Sequence, residues 1–309
     1  MKRLIITAAT ILATAFAVSA QDLSEVTEIY NNGAAALNSG DKAAAMTAFQ
    51  KALTAATALG EEGAEVVANC KEIIPSLSLS QAKDLVKAAA YDKAIEQLKA
   101  AAAVATEFAN ESVANEATKL IPQVCMQKGN ELLKVKDYAG AAAAFKSITD
   151  ADPTNGVAAL RLGMALGAAG DAEGAEAAYL MAAENGQESN AKKQLSSLAL
   201  KAAAACLKAK DYAGAAAAAA KSNGFVESAQ AYQIQGQALQ IQKKNTEAIA
   251  AFEKYLELAP TAKNAGQIAY TVGALYQGAG NKAKAKEFYQ KASTDPQYGA
   301  EAAKLAASL

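Results

Sequence analysis

The fold is decided by residues 129–163, which read GNELLKVKDYAGAAAAFKSITDADPTNGVAALRLG. This stretch predicts a helix, a tight turn, a second helix and a Pro-containing turn into the next helix. Gly129 and Leu132 are three residues apart and share one helix face, and Ala141 and Phe145 share a face of the second helix. A small residue opposite a large one lets two antiparallel helices approach to roughly 8–10 Å. The stretch therefore predicts one helix-turn-helix unit and the start of another.

The same pattern recurs seven times along the chain. A small residue holds the first position of each unit: Gly33, Ala82, Gly129, Gly163, Ala203, Gly236 and Gly273. Each is followed twelve residues later by alanine: Ala45, Ala94, Ala141, Ala175, Ala215, Ala248 and Ala285. Four residues further the side chain is large in all but the fifth unit: Phe49, Leu98, Phe145, Tyr179, Ala219, Phe252 and Tyr289. This shared register predicts an all-α chain of stacked helix pairs.

The pattern resembles the tetratricopeptide repeat, in which Gly, an apolar residue three on, Ala, an aromatic four later and Pro mark one unit. The chain lacks the Trp of that pattern. The resemblance implies a right-handed α-solenoid of about seven repeats over residues 21–309, closed by a capping helix at residues 298–309. It further implies a protein–protein interaction scaffold whose first helices line a concave groove that binds a partner protein or an extended peptide.

The turns and prolines place the helix ends. Five turns should end one helix and cap the next: Gly40-Asp41, Lys136-Asp137, Gly170-Asp171, Lys210-Asp211 and Gly280-Asn281. Pro153, Pro260 and Pro296 fall between units, where a helix must stop. Pro75 and Pro122 instead follow extra helical runs and predict kinked, extended first helices.

Residues 1–20 have the features of a secretory signal. Lys2 and Arg3 precede an apolar run over residues 4–18, which is shorter than the ~20 residues that span a bilayer, and small residues end at Ala20. We expect export to the periplasm of a Gram-negative bacterium or secretion, with no stable membrane insertion. Loss of Lys2 and Arg3 changes the net charge from −1 to −3, which gives no reason to expect nucleic acid as a partner.

The composition gives little support for catalysis. The chain has no His, the commonest general base and metal ligand, and no Gly-rich phosphate loop. Cys70, Cys125 and Cys206 lie among apolar residues in helical segments and are expected to be buried thiols, although a Cys70–Cys125 disulfide is left open. We expect a non-enzymatic chain with no metal and no cofactor.

Candidate partner-binding residues come from the first helices. Gly129-Asn130 resembles the subset of repeats that clamps a C-terminal carboxylate; Lys201 also matches that subset, whereas Met126, Arg161 and Ser197 depart from it. A basic strip is formed by Lys83, Lys87, Lys134, Arg161, Lys201 and Lys208. An amide row is formed by Gln230, Gln233, Gln237 and Gln240, which Tyr270 and Gln277 extend.

Two interpretations of these side chains are open. They form either an ordinary solvated helix face or a site where amides bond the backbone of an extended, acidic segment. A different class of function is a structural subunit that self-associates through its terminal repeats.

The leader sequence gives the first testable prediction. Cleavage after Ala20 should leave an exported protein that begins at Gln21, because signal peptidases cut after small residues that follow an apolar run. Intact-mass spectrometry of the native protein measures this directly. A native N-terminus that retains Lys2 and Arg3 would contradict the prediction of export.

Overall fold

A computed structural model describes residues 22–309, so the predicted signal segment lies outside the described residues. These residues are all-α and contain no strand. The helices are α1 (Leu23–Asn38), α2 (Lys42–Ala58), α3 (Ala64–Lys87), α4 (Tyr91–Glu107), α5 (Glu111–Lys134), α6 (Tyr138–Ala151), α7 (Gly156–Ala169), α8 (Ala172–Ala182), α9 (Glu188–Lys208), α10 (Tyr212–Phe225), α11 (Ala229–Ile241), α12 (Asn245–Leu258), α13 (Ala265–Gly278), α14 (Lys282–Ala292) and α15 (Gly299–Ser308).

Successive helices pack as pairs, from α1 with α2 to α13 with α14, and α15 packs on α14. The predicted helix-turn-helix repeat architecture is therefore confirmed. The described chain divides into two compact units between Ala151 and Asp152. The first contains α1–α6 and the second, Asp152–Leu309, contains α7–α15.

Each pair is closed where the small residue of its first helix meets the large residue of its second. A Cβ added at Gly129 would lie 2.5 Å from the Phe145 ring, and one added at Gly236 would lie 2.5 Å from the Phe252 ring. Both rings are almost completely buried. The predicted alanines at the helix crossings are all fully buried: Ala45, Ala94, Ala141, Ala175, Ala215, Ala248 and Ala285.

Two units replace glycine by alanine, and both also lack the aromatic ring. In the second unit Ala82 faces Leu98, and in the fifth Ala203 faces Ala219; all four side chains are fully buried. A smaller side chain on the second helix leaves room for the extra methyl group on the first. Ala with Leu nearly restores the volume of Gly with Phe, whereas Ala with Ala leaves the fifth pair smaller. The fifth unit adds a buried hydrogen bond, in which Ser222 Oγ donates to the Ser196 backbone oxygen at 2.9 Å.

The turn inside each unit has one backbone geometry in all seven units. Its left-handed residue has a φ of +55° to +93°: Gly40, Ala89, Lys136, Gly170, Lys210, Lys243 and Gly280. The next residue donates its amide to the carbonyl five positions earlier, as Asp137 does to Leu132 at 2.9 Å, which is the Schellman ending of a helix. All five predicted caps are confirmed, and Asp137 Oδ1 accepts the Gly140 amide at 2.9 Å.

The predicted extension of two first helices is confirmed. Helices α3 and α5 each contain 24 residues and run without interruption through Pro75 and Pro122. The kinks at these prolines stay predictions. Pro153, Pro260 and Pro296 all lie outside helices, as expected.

The C-terminal helix α15 buries Ala302 and Ala306, half-buries Leu305, and exposes Glu301 and Lys304. Its apolar side packs on the last repeat, while its other side is polar. The predicted capping helix is confirmed.

Contact between Gly129 and Phe145 gives the second testable prediction. Gly129→Ala should lower the free energy of unfolding, relative to the control, by about 1–3 kcal/mol because the new methyl group overpacks the ring. The control is Gly224→Ala on α10, where an added Cβ meets nothing within 4 Å. Denaturant unfolding measures both variants.

The sharper form of this test is a double-mutant cycle. Phe145→Leu should cost less in the presence of Gly129→Ala than alone, because the pair then has the side chains of the second unit, Ala82 and Leu98. If the two changes in the free energy of unfolding are additive, the idea that the side chains at positions 129 and 145 compete for the same space is contradicted.

The left-handed turn residues give the third prediction. Ala89→Gly should stabilise the protein by about 0.5–1 kcal/mol, because a left-handed φ is costly for any residue with a Cβ. The control is Ala88→Gly, one residue earlier, where φ is −80°. In thermal unfolding, Ala89→Gly should raise the melting temperature and Ala88→Gly should lower it. Equal destabilisation by the two variants would contradict the turn geometry.

Candidate partner-binding face

The small residues set a register that also identifies the open side of the first helices. Three positions of each first helix lie on one side of the small residue, rotated from it by about 40–100° round the helix axis. They are the positions three before it, one after it and four after it. In Asp152–Leu309 they are Leu160, Met164 and Gly167 on α7, Leu200, Ala204 and Leu207 on α9, Gln233, Gln237 and Gln240 on α11, and Tyr270, Ala274 and Gln277 on α13. We call these residues the first-helix face.

The first-helix face is accessible along its whole length. None of its residues is buried; Ala204, Gln240, Ala274 and Gln277 are exposed and the others are half-buried. The small residues of the same helices are all buried. Helix α9 packs beside both α7 and α11, so the face is continuous across these three helices.

The amide row occupies the part of the face on α11. Gln233 and Gln237 are half-buried, and neither side chain forms a hydrogen bond with the described residues. No described side-chain nitrogen or oxygen is both buried and unpartnered. The amides of Gln233 and Gln237 must therefore reach solvent, where they are available to a partner. Gln230 and Gln240 are exposed on the same helix.

Tyr270 extends the row onto α13. Its ring lies 5.5 Å from the Tyr289 ring and 5.3 Å from the Tyr298 ring, centroid to centroid. These contacts hold the ring at the surface of the core. Gln277 is held as well, because Tyr289 Oη donates to Gln277 Oε1 at 2.6 Å.

Two cations of the predicted basic strip that lie in Asp152–Leu309 are unpaired. Arg161 and Lys201 each stand two residues before the small residue of their helix, directly after Leu160 and Leu200. Neither forms an ion pair or a side-chain hydrogen bond within residues 22–309. Each also stands three positions before a residue of the first-helix face, Met164 or Ala204. Residues three apart are neighbours on a helix surface, so both cations border the first-helix face.

Three other lysines of the predicted basic strip contact carboxylates, although Lys87 shares Asp84 with Lys42. Their Nζ atoms contact Glu116 (Lys83, 2.6 Å), Asp84 (Lys87, 3.6 Å) and Glu131 (Lys134, 2.7 Å). Hydrogen bonding to Glu131 raises the pKa of Lys134. Lys208 is exposed on α9. Among the described residues, the cations of the predicted strip that contact no carboxylate therefore lie on α7 and α9.

The residues that resemble a carboxylate clamp are split between the two compact units. Asn130 is half-buried on α5, and Lys201 is exposed on α9. Asn130 makes no side-chain hydrogen bond with the described residues. Its role in binding stays a prediction.

The described residues offer no cluster of acidic, Cys or His side chains that could hold a metal ion. All three cysteines are free thiols, with Cys70 and Cys125 buried and Cys206 half-buried. Burial raises the pKa of the Cys70 thiol to about 11, so it stays protonated near neutral pH and is a poor nucleophile.

Comparison with known families agrees with the packing. Two models described as tetratricopeptide repeat match the chain, one at residues 132–198 and the other at residues 229–261 and 266–294. The chain contains tetratricopeptide repeats. Proteins of this family are typically non-enzymatic, and the repeats of this chain make it a protein–protein interaction scaffold. No curated protein matches the sequence.

Several solved structures are similar to parts of this chain. A MamA protein is 21% identical, covers 59% of this chain and 96% of its own, and has a TM-score of 0.38. YrrB, described as a TPR protein with an unusual peptide-binding site, is 20% identical, covers 64% and 97%, and has a TM-score of 0.37. PilF of Pseudomonas aeruginosa is 16% identical, covers 62% and 89%, and has a TM-score of 0.29.

The apolar part of the first-helix face was missed by sequence reasoning. Leu160, Met164 and Leu200 hold the same register positions as Gln233, Gln237 and Tyr270. They resemble ordinary core residues in composition, but they are only half-buried. Their register relative to Gly163 and Ala203 was the signal that could have identified them.

Proposed function

We propose that this protein is a non-enzymatic scaffold of the bacterial cell envelope that binds an extended segment of a partner protein along the first-helix face. The observation that carries the proposal is the pair of solvent-accessible, unpartnered amides at Gln233 and Gln237. A Gln side chain offers one acceptor and two donors, which match the backbone groups of an extended chain.

The geometry supports binding of a segment more than binding of a chain end. Arg161, Gln233 and Tyr270 lie on three different first helices, so a ligand that meets all of them must cross several repeats. An extended peptide does this with about 3.3 Å of reach per residue. A single carboxylate would engage only one part of the face.

The proposed location rests on the sequence of residues 1–20 alone. Among the described helices, none is both long enough and apolar enough to cross a membrane. Self-association through the terminal repeats stays an alternative prediction. Light scattering separates it from the scaffold, because only a self-associating subunit gains mass as its own concentration rises.

The fourth prediction tests the proposed face by photocrosslinking. A photoreactive amino acid that replaces Gln237 should crosslink to one contiguous segment of another protein in an envelope extract, identified by mass spectrometry. A synthetic peptide of that segment should compete with the crosslink. The matched control replaces Gln290, which is exposed on the second helix α14.

The control position should not capture that segment. Capture of the same segment at both positions, or at neither, would contradict binding along the first-helix face.

A further inference from the structure

Charge is distributed unevenly between the first and second helices of Asp152–Leu309. The first helices α7, α9, α11 and α13 contain a single carboxylate, Glu188, whose Oε1 is 2.6 Å from Lys192 Nζ. The second helices α8, α10, α12 and α14 contain six: Glu173, Glu176, Glu247, Glu253, Glu257 and Glu287. The whole chain nevertheless has a net charge of −1.

Positive charge on these first helices is concentrated in the earlier pair. Helices α7 and α9 contain five cations: Arg161, Lys192, Lys193, Lys201 and Lys208. Helices α11 and α13 contain no charged residue of either sign. The first-helix face therefore has a cationic half and an uncharged half.

The two halves also differ in apolar character. On the cationic half, an apolar residue is followed directly by a cation at the same register positions of two helices, Leu160-Arg161 and Leu200-Lys201. These leucines are half-buried, so part of each side chain can still contact a ligand. On the uncharged half the same positions hold amides and Tyr270.

We propose that the partner segment is bipartite: an acidic stretch with interspersed apolar residues lies against α7 and α9, and an adjoining stretch is held through its backbone by Gln233 and Gln237. This inference rests on the proposed function and names the partner of the same face. Acidic side chains meet unpaired cations there, and the single carboxylate of these two helices, Glu188, is paired with Lys192. The backbone contacts require no particular side chains from the second stretch.

A protein segment fits this surface better than an anionic membrane does. Cations beside apolar residues would suit both. The uncharged half favours a protein segment. The amides of Gln233 and Gln237 are one helix turn apart and can bond the peptide groups of an extended chain. A lipid headgroup region, which is already hydrated, offers these amides no comparable gain.

The fifth prediction uses synthetic probes in place of the unidentified partner. The parent probe is a 12-residue fluorescent peptide with alternating Glu and Leu in one half and alternating Ser and Gly in the other. Extended, it reaches about 40 Å, which is comparable with the width of four packed helices at roughly 8–10 Å each. It is made in both orders of its halves, because the structure does not set the direction of the chain.

Two altered probes separate the contributions. One replaces every Glu by Gln, which removes the charge, and the other N-methylates the Ser-Gly half, which removes backbone donors. Fluorescence anisotropy with the full-length protein at low salt should show each alteration weakening binding by roughly 3–10-fold, as expected for loss of charge steering or of one or two net hydrogen bonds. Added salt should weaken only the Glu-containing probes.

Protein variants locate the two effects on the face. Arg161→Glu with Lys201→Glu should abolish the advantage of Glu over Gln in the probe, while Gln233→Ala with Gln237→Ala should abolish the effect of N-methylation. The matched control is Lys286→Glu with Lys304→Glu, which changes the net charge equally on exposed residues of α14 and α15. Circular dichroism confirms that each variant stays folded.

The outcomes are distinct. Equal binding of the Glu and Gln probes, or an equal effect of the control pair, would overturn the acidic stretch, while crosslinking at Gln237 could still support the proposed function. Binding to vesicles of phosphatidylglycerol that is lost in the Arg161 and Lys201 variant, with no peptide binding, would overturn the protein partner in favour of a membrane. Absence of all binding would also overturn the bipartite segment, and the crosslinking test then decides the proposed function separately.

Discussion

Close contact between a small residue and a large one, sixteen positions apart, is the constraint on which the rest of the structure depends. The ring carbons of Phe145, Tyr179 and Phe252 would lie 2.5–2.6 Å from a Cβ at the facing glycine. The first helix can therefore approach the second only where its side chain is missing. Where the large residue is lost, as at Ala219, the small residue regains its methyl group, as at Ala203. The methyl group on the first helix then fills part of the space that the ring would occupy.

This contact also determines which side of the first helix remains open. Because the small residue must point at the second helix, the positions about 40–100° away point elsewhere, and in Asp152–Leu309 all of them keep solvent access. Packing thus uses one narrow stripe of each first helix and leaves the neighbouring stripe for recognition. The amides of Gln233 and Gln237, and the cations Arg161 and Lys201, belong to or border that open stripe. Stability and partner binding are assigned to adjacent residues of the same helices.

The repeat architecture was predictable because it depends on local spacing, which a sequence displays directly. The caps at Asp137 and Asn281 were predictable for the same reason. The turns at Ala89 and Lys243 were missed, since the residues that follow them, Ala90 and Lys244, have no side chain that caps the next helix. Neutralisation of Lys83 by Glu116 could not be foreseen either, because it joins residues 33 positions apart on different helices. Conversely, the unpaired state of Arg161 and Lys201 follows from the shortage of carboxylates on their helices, which the sequence already contained.

The most direct test of this account compares two neighbouring alanines on α9. Ala203 is the fully buried small residue of its pair, and Ala204 is an exposed member of the first-helix face. Ala203→Cys and Ala204→Cys would be made separately in a chain whose three native cysteines are replaced by Ala, and the rate of thiol labelling by a water-soluble disulfide reagent would be measured. The cysteine introduced at position 204 should react at nearly the rate of a free thiol, and the one at position 203 roughly a hundredfold more slowly, because it requires local opening of the helix pair. Equal rates at the two positions would contradict the division of each first helix into a packing stripe and an open stripe.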